Sequence, residues 1–199
     1  MSLEDYKKKR NFEKSPEPAE SKEKTKEKEL AFVVQRHKAT RLHYDLRLES
    51  KGVLKSWAIP KGPSMNPKDK RLAMMVEDHP YDYRTFEGVI PKGNYGAGIV
   101  EIWDEGMYIP LTPDKKKPSK GSSVSKYIKE GSLKFILVGK KLKGEFALVK
   151  IKQNDDNSWL LIKHKDEFAV QTQYNSEDLT PASSPINKEL KKKKKNEDK

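Results

Sequence analysis

Two histidines and an aspartate lie close together in this 199-residue chain: His37 precedes a short polar turn, and His43 and Asp45 follow it. From His43 to Glu49, charged and apolar residues alternate. Side chains on a β-strand alternate between faces, so His43, Asp45 and Arg47 share one face. Tyr44, Leu46 and Leu48 then turn to the other, which should be the core face. Two imidazoles and one carboxylate make a good ligand set for Mn²⁺, Zn²⁺ or Fe²⁺. Arg47, one step further along the same face, carries a planar fork that matches phosphate oxygens. Together these types can place a divalent metal beside a bound phosphate. They also fit a plain solvent face of surface ion pairs, and spacing by itself leaves both readings open.

A second segment adds to the first. In Arg71 to Pro80, the residues Arg71, Ala73, Met75, Glu77 and His79 have one parity, so a strand there offers Arg, Glu and His on one face. Tyr83 follows shortly, and Tyr81 reads as core or rim packing. Lys61 sits in a stiff Pro60-Lys61-Gly62-Pro63 turn that can hold an ammonium toward an anion; an ordinary exposed lysine is the alternative. The remaining histidine, His164, ends a C-terminal strand and reads as structural or surface. The chain has no cysteine, which excludes thiolate metal sites, cysteine nucleophiles and disulfide staples. It has no P-loop. The glycine-rich run Pro91 to Gly98 reads as a turn and bulge that lets backbone approach closely.

These side chains need a scaffold, and the scaffold is legible from the apolar pattern. Between Ala31 and Tyr174, short runs rich in β-branched and aromatic residues alternate with Gly, Pro, Asn and Asp. Strands are predicted near Phe32–Gln35, His43–Glu49, Lys55–Ile59, Leu72–Glu77, Ile99–Asp104, Leu133–Val138, Glu145–Ile151 and Trp159–Lys163. Gly139 to Gly144 is a hairpin loop and Asn154 to Asn157 a second turn. One short helix is expected at Ser125–Glu130, ended by Gly131. Many short strands at hairpin spacing predict a mostly β fold, a compact antiparallel β-barrel with few short helices and a surface active-site groove. Ahead of this domain, residues 1–30 form a basic arm and a charged linker. Glu13 to Glu29 is too poor in apolar residues to offset its ordering entropy. Tyr6 and Phe12 could anchor the arm on the domain. Residues 175–199 read as a disordered Lys-rich tail, whose Lys191–Lys195 block adds sequence-independent attraction to phosphates.

Charge points to the partner. The chain carries 42 Lys and Arg against 30 Asp and Glu, a formal net charge of +12, which favours a polyanion such as nucleic acid. No apolar run is long enough for a bilayer and no signal-peptide pattern opens the chain, so a soluble, cytoplasmic protein without membrane partners, a monomer, is expected.

The segments Phe32-Val-Val-Gln-Arg-His37, Arg41-Leu-His43-Tyr-Asp45-Leu-Arg47-Leu-Glu49, Leu54 to Pro63, Val76 to Tyr81, Phe86 to Gly96 and Trp159 to Lys163 together resemble the 3′-phosphoesterase domain of bacterial DNA ligase D and its stand-alone archaeal relatives. The resemblance implies a compact β-barrel with a surface groove. It implies a metal, typically manganese with zinc or cobalt as alternatives, on His37, His43 and Asp45. It places Arg47, His79 and Tyr83 at the phosphate and gives Gln35, Lys61, Arg71 and Glu77 supporting parts. It assigns substrate contacts to Arg10, Asn11 and Glu17 of the arm. The family pattern has Asp where this chain has Asn11, so modulation of activity, not its loss, is expected there.

The activity implied is end healing in non-homologous end joining. A DNA or DNA/RNA primer-template loses a 3′-terminal ribonucleoside and then the 3′-phosphate, leaving a 3′-OH. No ligase or polymerase segment is seen, so ligase, polymerase and Ku are expected as separately encoded partners. Two other readings fit parts of the sequence: a non-catalytic basic β-barrel that only binds nucleic acid, and a metal phosphatase for small phosphoesters. The first would want aromatics where this chain concentrates His and Asp; the second gains nothing from the basic charge.

Overall fold

In the computed structural model, residues 2–21, 30–112, 114, 123–151 and 157–197 are described. The turn expected at Asn154–Asn157 falls, except for Asn157, outside them. The described chain runs through α1 (Leu3–Lys8), β1 (Ala31–Lys38), β2 (Leu42–Ser50), β3 (Val53–Ile59), β4 (Lys70–Pro80), β5 (Gly88–Ile90), β6 (Gly98–Leu111), α2 (Val124–Glu130), β7 (Ser132–Gly139), β8 (Lys143–Lys150), β9 (Ser158–Lys163) and α3 (Pro185–Glu197). The strands lie in the order β1-β2-β3-β4-β9-β8-β7-β6-β5, and β1 also pairs with β6. That last pairing closes eight antiparallel strands into a barrel and leaves β5 as a short flap on β6. Closure removes the sheet edges that an open form would expose.

Each predicted strand is present, with β4 and β6 longer than expected. β5, only three residues, gave no periodic signal. The predicted helix appears as α2, and Gly131 ends it at φ +80°, a left-handed position suited to glycine.

Alternation builds the interior. Tyr44, Leu46 and Leu48 of β2 are buried in one apolar cluster with Phe32 and Val34 of β1, Trp57 of β3, and Phe135, Phe146 and Trp159 from the far wall. Trp57 and Trp159 meet edge to face at 6.0 Å between ring centres. A smaller cluster outside the barrel joins Tyr6 of α1 to Leu54, Tyr83, Phe86, Ile90 and Val100.

The flanks are more ordered than their composition predicts. Tyr6 is fully buried, its hydroxyl donating to the Pro18 carbonyl at 2.7 Å, and Phe12 packs on its ring. Ser15 and Glu17, within the stretch expected to be linker, are buried. At the other end, residues 175–199 were expected to be disordered. Instead a turn over Ser176–Leu179 and the helix α3 lie against the barrel, with Ser176 and Ile186 fully buried. The reason is a buried charge. Arg36 of β1 has no solvent exposure and binds Glu101 of β6 at 2.8 Å and Glu177 at 2.6 Å, with Asn187 at 2.9 Å. A composition count cannot see that one acid in a polar tail is needed to neutralise a buried guanidinium. Replacing Arg36 with leucine leaves Glu101 buried without its cation. We expect unfolding free energy to fall by about 3 kcal/mol, read from the urea midpoint.

Candidate metal centre

His37 lies one residue before the end of β1 and His43 one residue into β2, opposite each other in the antiparallel register, and Asp45 faces Gln35 two residues along. All three side chains leave the barrel on its outer side. One ligand atom from each comes within 4.8 Å of the others, and among the described residues they form the cluster able to hold a metal. His37 Nδ1 lies 3.6 Å from one Asp45 oxygen and His43 Nε2 lies 3.7 Å from the other. These separations exceed a hydrogen bond. They match two atoms sharing one ion, since ligands at about 2.1 Å in tetrahedral array sit about 3.4 Å apart.

The far nitrogen of each ring supports the same reading. His37 Nε2 lies 2.9 Å from the Gly96 carbonyl, and His43 Nδ1 lies 3.0 Å from the Arg41 carbonyl. A carbonyl only accepts, so each far nitrogen carries the proton. His37 Nδ1 and His43 Nε2 are then bare lone pairs aimed inward. Fixing the tautomer through the second nitrogen is how metal-binding histidines are oriented. Burial raises the Asp45 carboxyl, but the Arg47 guanidinium 3.2 Å away, with the neighbouring His37 and His43 rings, outweighs it and brings the pKa down to about 2. Asp45 is therefore a carboxylate at neutral pH, as a ligand must be. The donors present fit a divalent ion, and three protein ligands leave positions open for substrate or water.

Arg47 is held on every side. Its Nε donates to Gln35 Oε1 at 2.7 Å, one Nη to Ser56 Oγ at 2.9 Å, and the other to Asp45 at 3.2 Å. Its plane lies over the Tyr83 ring, 4.7 Å from the centre. Gln35 spends its amide on the Tyr83 and Phe86 carbonyls, so it ties β1 to the turn that carries Tyr83. Ser56 was missed in the sequence. It sits opposite Arg47 in the β2–β3 register, and that pairing was the available signal.

The third wall is the N-terminal arm. Arg10 binds Glu17 at 2.9 Å and Glu77 at 2.8 Å, and stacks on Tyr6 at 3.9 Å. Its remaining nitrogen lies 3.2 Å from His79 Nε2. The other nitrogen of His79 contacts the Glu77 carbonyl at 2.9 Å. Arg10 only donates and the carbonyl only accepts, so His79 carries its proton on Nδ1 and accepts on Nε2. Tyr83 donates its hydroxyl to Glu17 at 3.0 Å. Lys9, which the sequence did not single out, binds the second Glu77 oxygen at 3.0 Å. Asn11 is exposed and outside the pocket, where its side chain caps the turn at Glu13.

The pocket enclosed by these residues has a volume of about 210 Å³ and is lined by all three candidate ligands with Arg10, Glu17, Arg47, Glu77, His79 and Tyr83. Besides Asn11, two expected members lie elsewhere. Lys61 and Arg71 line a separate groove of about 430 Å³ with Tyr44, Tyr174 and Glu177. Arg71 is held there by Asp69 at 2.8 Å and the Tyr174 carbonyl at 3.0 Å. Strand parity failed for Arg71 because β4 carries a bulge. Leu54 pairs with His79 but Ser56 pairs with Val76, so β4 has an extra residue between them. Before the bulge, Ala73 points into the core; after it, Glu77 and His79 of the same parity point into the pocket. His164 pairs with Glu145 at 2.8 Å, away from the pocket.

Burial, then the charges of Arg47 and Arg10, hold His79 well below its usual 6.5. The unfolded chain thus binds more protons here than the folded one once pH drops below about 6.5. The stabilising contribution of neutral His79 is complete above that pH and is lost as pH falls toward the folded value. His79→Gln should flatten the pH dependence of the urea midpoint in that range while the wild type declines.

Fold and site together define a closed β-barrel with a His/His/Asp cluster able to hold a metal beside a firmly held arginine. Residues 35–150, more than half of the chain, match the family described as the DNA Ligase D 3′-phosphoesterase domain, and the chain belongs to that family. It is 46% identical over 166 residues to the multifunctional non-homologous end joining protein LigD of Pseudomonas aeruginosa, a match covering 82% of this chain and 19% of that protein. It is 39% identical over 171 residues to the protein of the same name from Mycolicibacterium smegmatis, covering 83% and 21%. Over 103 residues it is 50% identical to the non-homologous end joining DNA repair protein LigD of Mycobacterium tuberculosis, covering 52% and 14%. The chain therefore spans about a fifth or less of the length of these curated relatives. No helix among the described residues is long and apolar enough to cross a membrane.

Proposed function

We propose that this chain heals nucleic-acid 3′ ends as a manganese-dependent phosphoesterase. It removes a terminal ribonucleoside from a primer-template to leave a 3′-phosphate, then removes that phosphate to leave a 3′-OH. The observation that carries the reading is the convergence of His37 Nδ1, His43 Nε2 and the Asp45 carboxylate beside Arg47 in one pocket. Family membership and the chain's basic charge support the substrate class.

His37, His43 and Asp45 would hold the metal, with zinc or cobalt as alternatives; when bound it supplies Lewis acidity and a more acidic water. Arg47 faces the equatorial oxygens with its fork already aligned by Gln35 and Ser56, so little reorganisation accompanies charge development. Tyr83 and Glu17 fix the floor of the pocket and hold Arg10 at its wall. His79, neutral and accepting from Arg10, orients that guanidinium; in this state its Nε2 has no proton to give a leaving oxygen. Lys61 and Arg71 act from their own groove as supporting cations for the duplex. Asn11, outside the pocket, acts through the turn that delivers Glu17. The 3′-OH ends produced suit the polymerase, ligase and Ku functions of end joining.

The test is direct. With Mn²⁺, a labelled primer-template ending in a 3′-phosphate or one 3′ ribonucleotide should be converted to the 3′-OH form on a sequencing gel. An unchanged 3′ end with manganese, cobalt and zinc alike would sink the proposal.

A further inference from the structure

One aromatic at the site has no part in the chemistry above. Tyr95 sits in the glycine-rich loop between β5 and β6, is 49% exposed, and lines the metal pocket. Its neighbour Gly96 supplies the carbonyl that orients His37, so the loop ties the Tyr95 ring to the metal ligands. Gly96 adopts φ +75° and Gly93 φ +87°, left-handed positions that let the loop fold back this tightly. Two cations attend the ring: the Lys9 ammonium at 4.8 Å from its centre and the Arg10 guanidinium at 5.3 Å.

Tyr95 also borders a second cavity of about 520 Å³, lined by Lys8 and Lys9 of the arm and by Met75 of β4. Val76, Glu77 and Tyr95 line both cavities, so the two adjoin. The nearby carboxylates are engaged: Glu77 by Arg10 and Lys9, and Asp5 by the Ser2 cap. An exposed ring beside cations, at the junction of a metal pocket and a lysine-lined groove, is how non-specific single-strand sites are built.

We infer that the groove holds the strand 5′ of the scissile phosphate and that Tyr95 is the platform on which one of its last two bases stacks, with Lys8 and Lys9 facing the backbone. This rests on the end-healing function proposed above. The polarity follows from charge. A departing terminal ribonucleoside carries no further phosphate, whereas the upstream strand carries one per nucleotide, and only the latter has use for the lysine pair Lys8 and Lys9. Stacking needs a π face and no particular base, so the site takes any 3′-terminal sequence.

A stacking probe tests this without relying on turnover. Primer-templates ending in 3′-OH, the reaction product, carry 2-aminopurine at the first, second or third nucleotide from the end and are titrated with full-length protein in manganese buffer. Wild type should quench the probe at one of the last two positions. Tyr95→Leu should abolish that quench and weaken binding about tenfold, while Tyr95→Phe, which keeps the ring, retains both. Equal quenching by wild type and Tyr95→Leu, or no quenching at any position, would overturn the inference. Quenching that depends on Tyr95 in a protein that leaves 3′-phosphate ends unchanged would support the platform and reject the proposed activity, so the two fail separately.

Discussion

Asp45→Asn should lower turnover on a 3′-phosphate primer-template by about 1000-fold, since Lewis-acid stabilisation is worth several kcal/mol and each 1.4 kcal/mol is tenfold. The amide keeps the size of the carboxylate and removes its charge. That charge pairs with the Arg47 guanidinium and completes the candidate ligand set with the two imidazoles, in a site where His37, Asp45 and Arg47 are buried and His43 is half-buried. Manganese affinity, measured by titration calorimetry without substrate, should fall by at least about 100-fold, the upper end of what losing even an outer-shell partner costs. The loss in turnover should not be recovered at millimolar metal if Asp45 also fixes Arg47. Unchanged affinity for the metal would remove Asp45 from the ligand set.

Arg47→Lys should cost about 100- to 1000-fold in kcat, the usual range for removing one preorganised donor to a charged transition state. A lysine keeps the charge but cannot satisfy Gln35, Ser56 and Asp45 at once, because its ammonium is a point charge on a flexible stem. KM should change far less than kcat. The substitution has a second readout. Arg47 is the largest influence opposing burial at Asp45, so its fork helps keep that carboxylate ionised. With Arg47→Ala the metal should be released at a higher pH on acidification than in wild type, followed by metal titration across the acid range. A wild-type-like kcat for Arg47→Lys would show that charge alone, not the fork, is needed there.

How much of this was legible in the sequence depended on whether a residue obeys local periodicity. The β2 face did, and alternation alone grouped His43, Asp45 and Arg47 and sent Tyr44, Leu46 and Leu48 inward. β4 did not, because a bulge adds one residue and reverses parity between Met75 and Glu77. No composition signal marks that bulge, so Arg71 was grouped with His79 although the two serve different cavities. The ordered flanks were missed for a different cause. Glu17 and Glu177 look like solvated charges among many, yet Glu17 is fixed by Arg10 and by the Tyr83 hydroxyl 66 residues away, and Glu177 by Arg36, 141 residues away, and by the Tyr44 hydroxyl. Long-range charge pairing of this kind leaves no periodic trace. The arm itself was half visible, since Tyr6 and Phe12 stand out as aromatics in a lysine-rich run.

The clamp at Arg36 has a consequence for how the protein is made. Arg36 adjoins the candidate ligand His37 on β1, yet one of its two acids, Glu177, is translated about 140 residues later. A nascent chain that has emerged only as far as β9 can form all eight barrel strands but leaves this guanidinium half-neutralised at the end of β1. The strand bearing His37 is thus secured only when the turn over Ser176–Leu179 arrives. Fastening of that strand waits on the translation of Glu177, and a ribosome stalled short of it displays a barrel whose β1 is not yet secured.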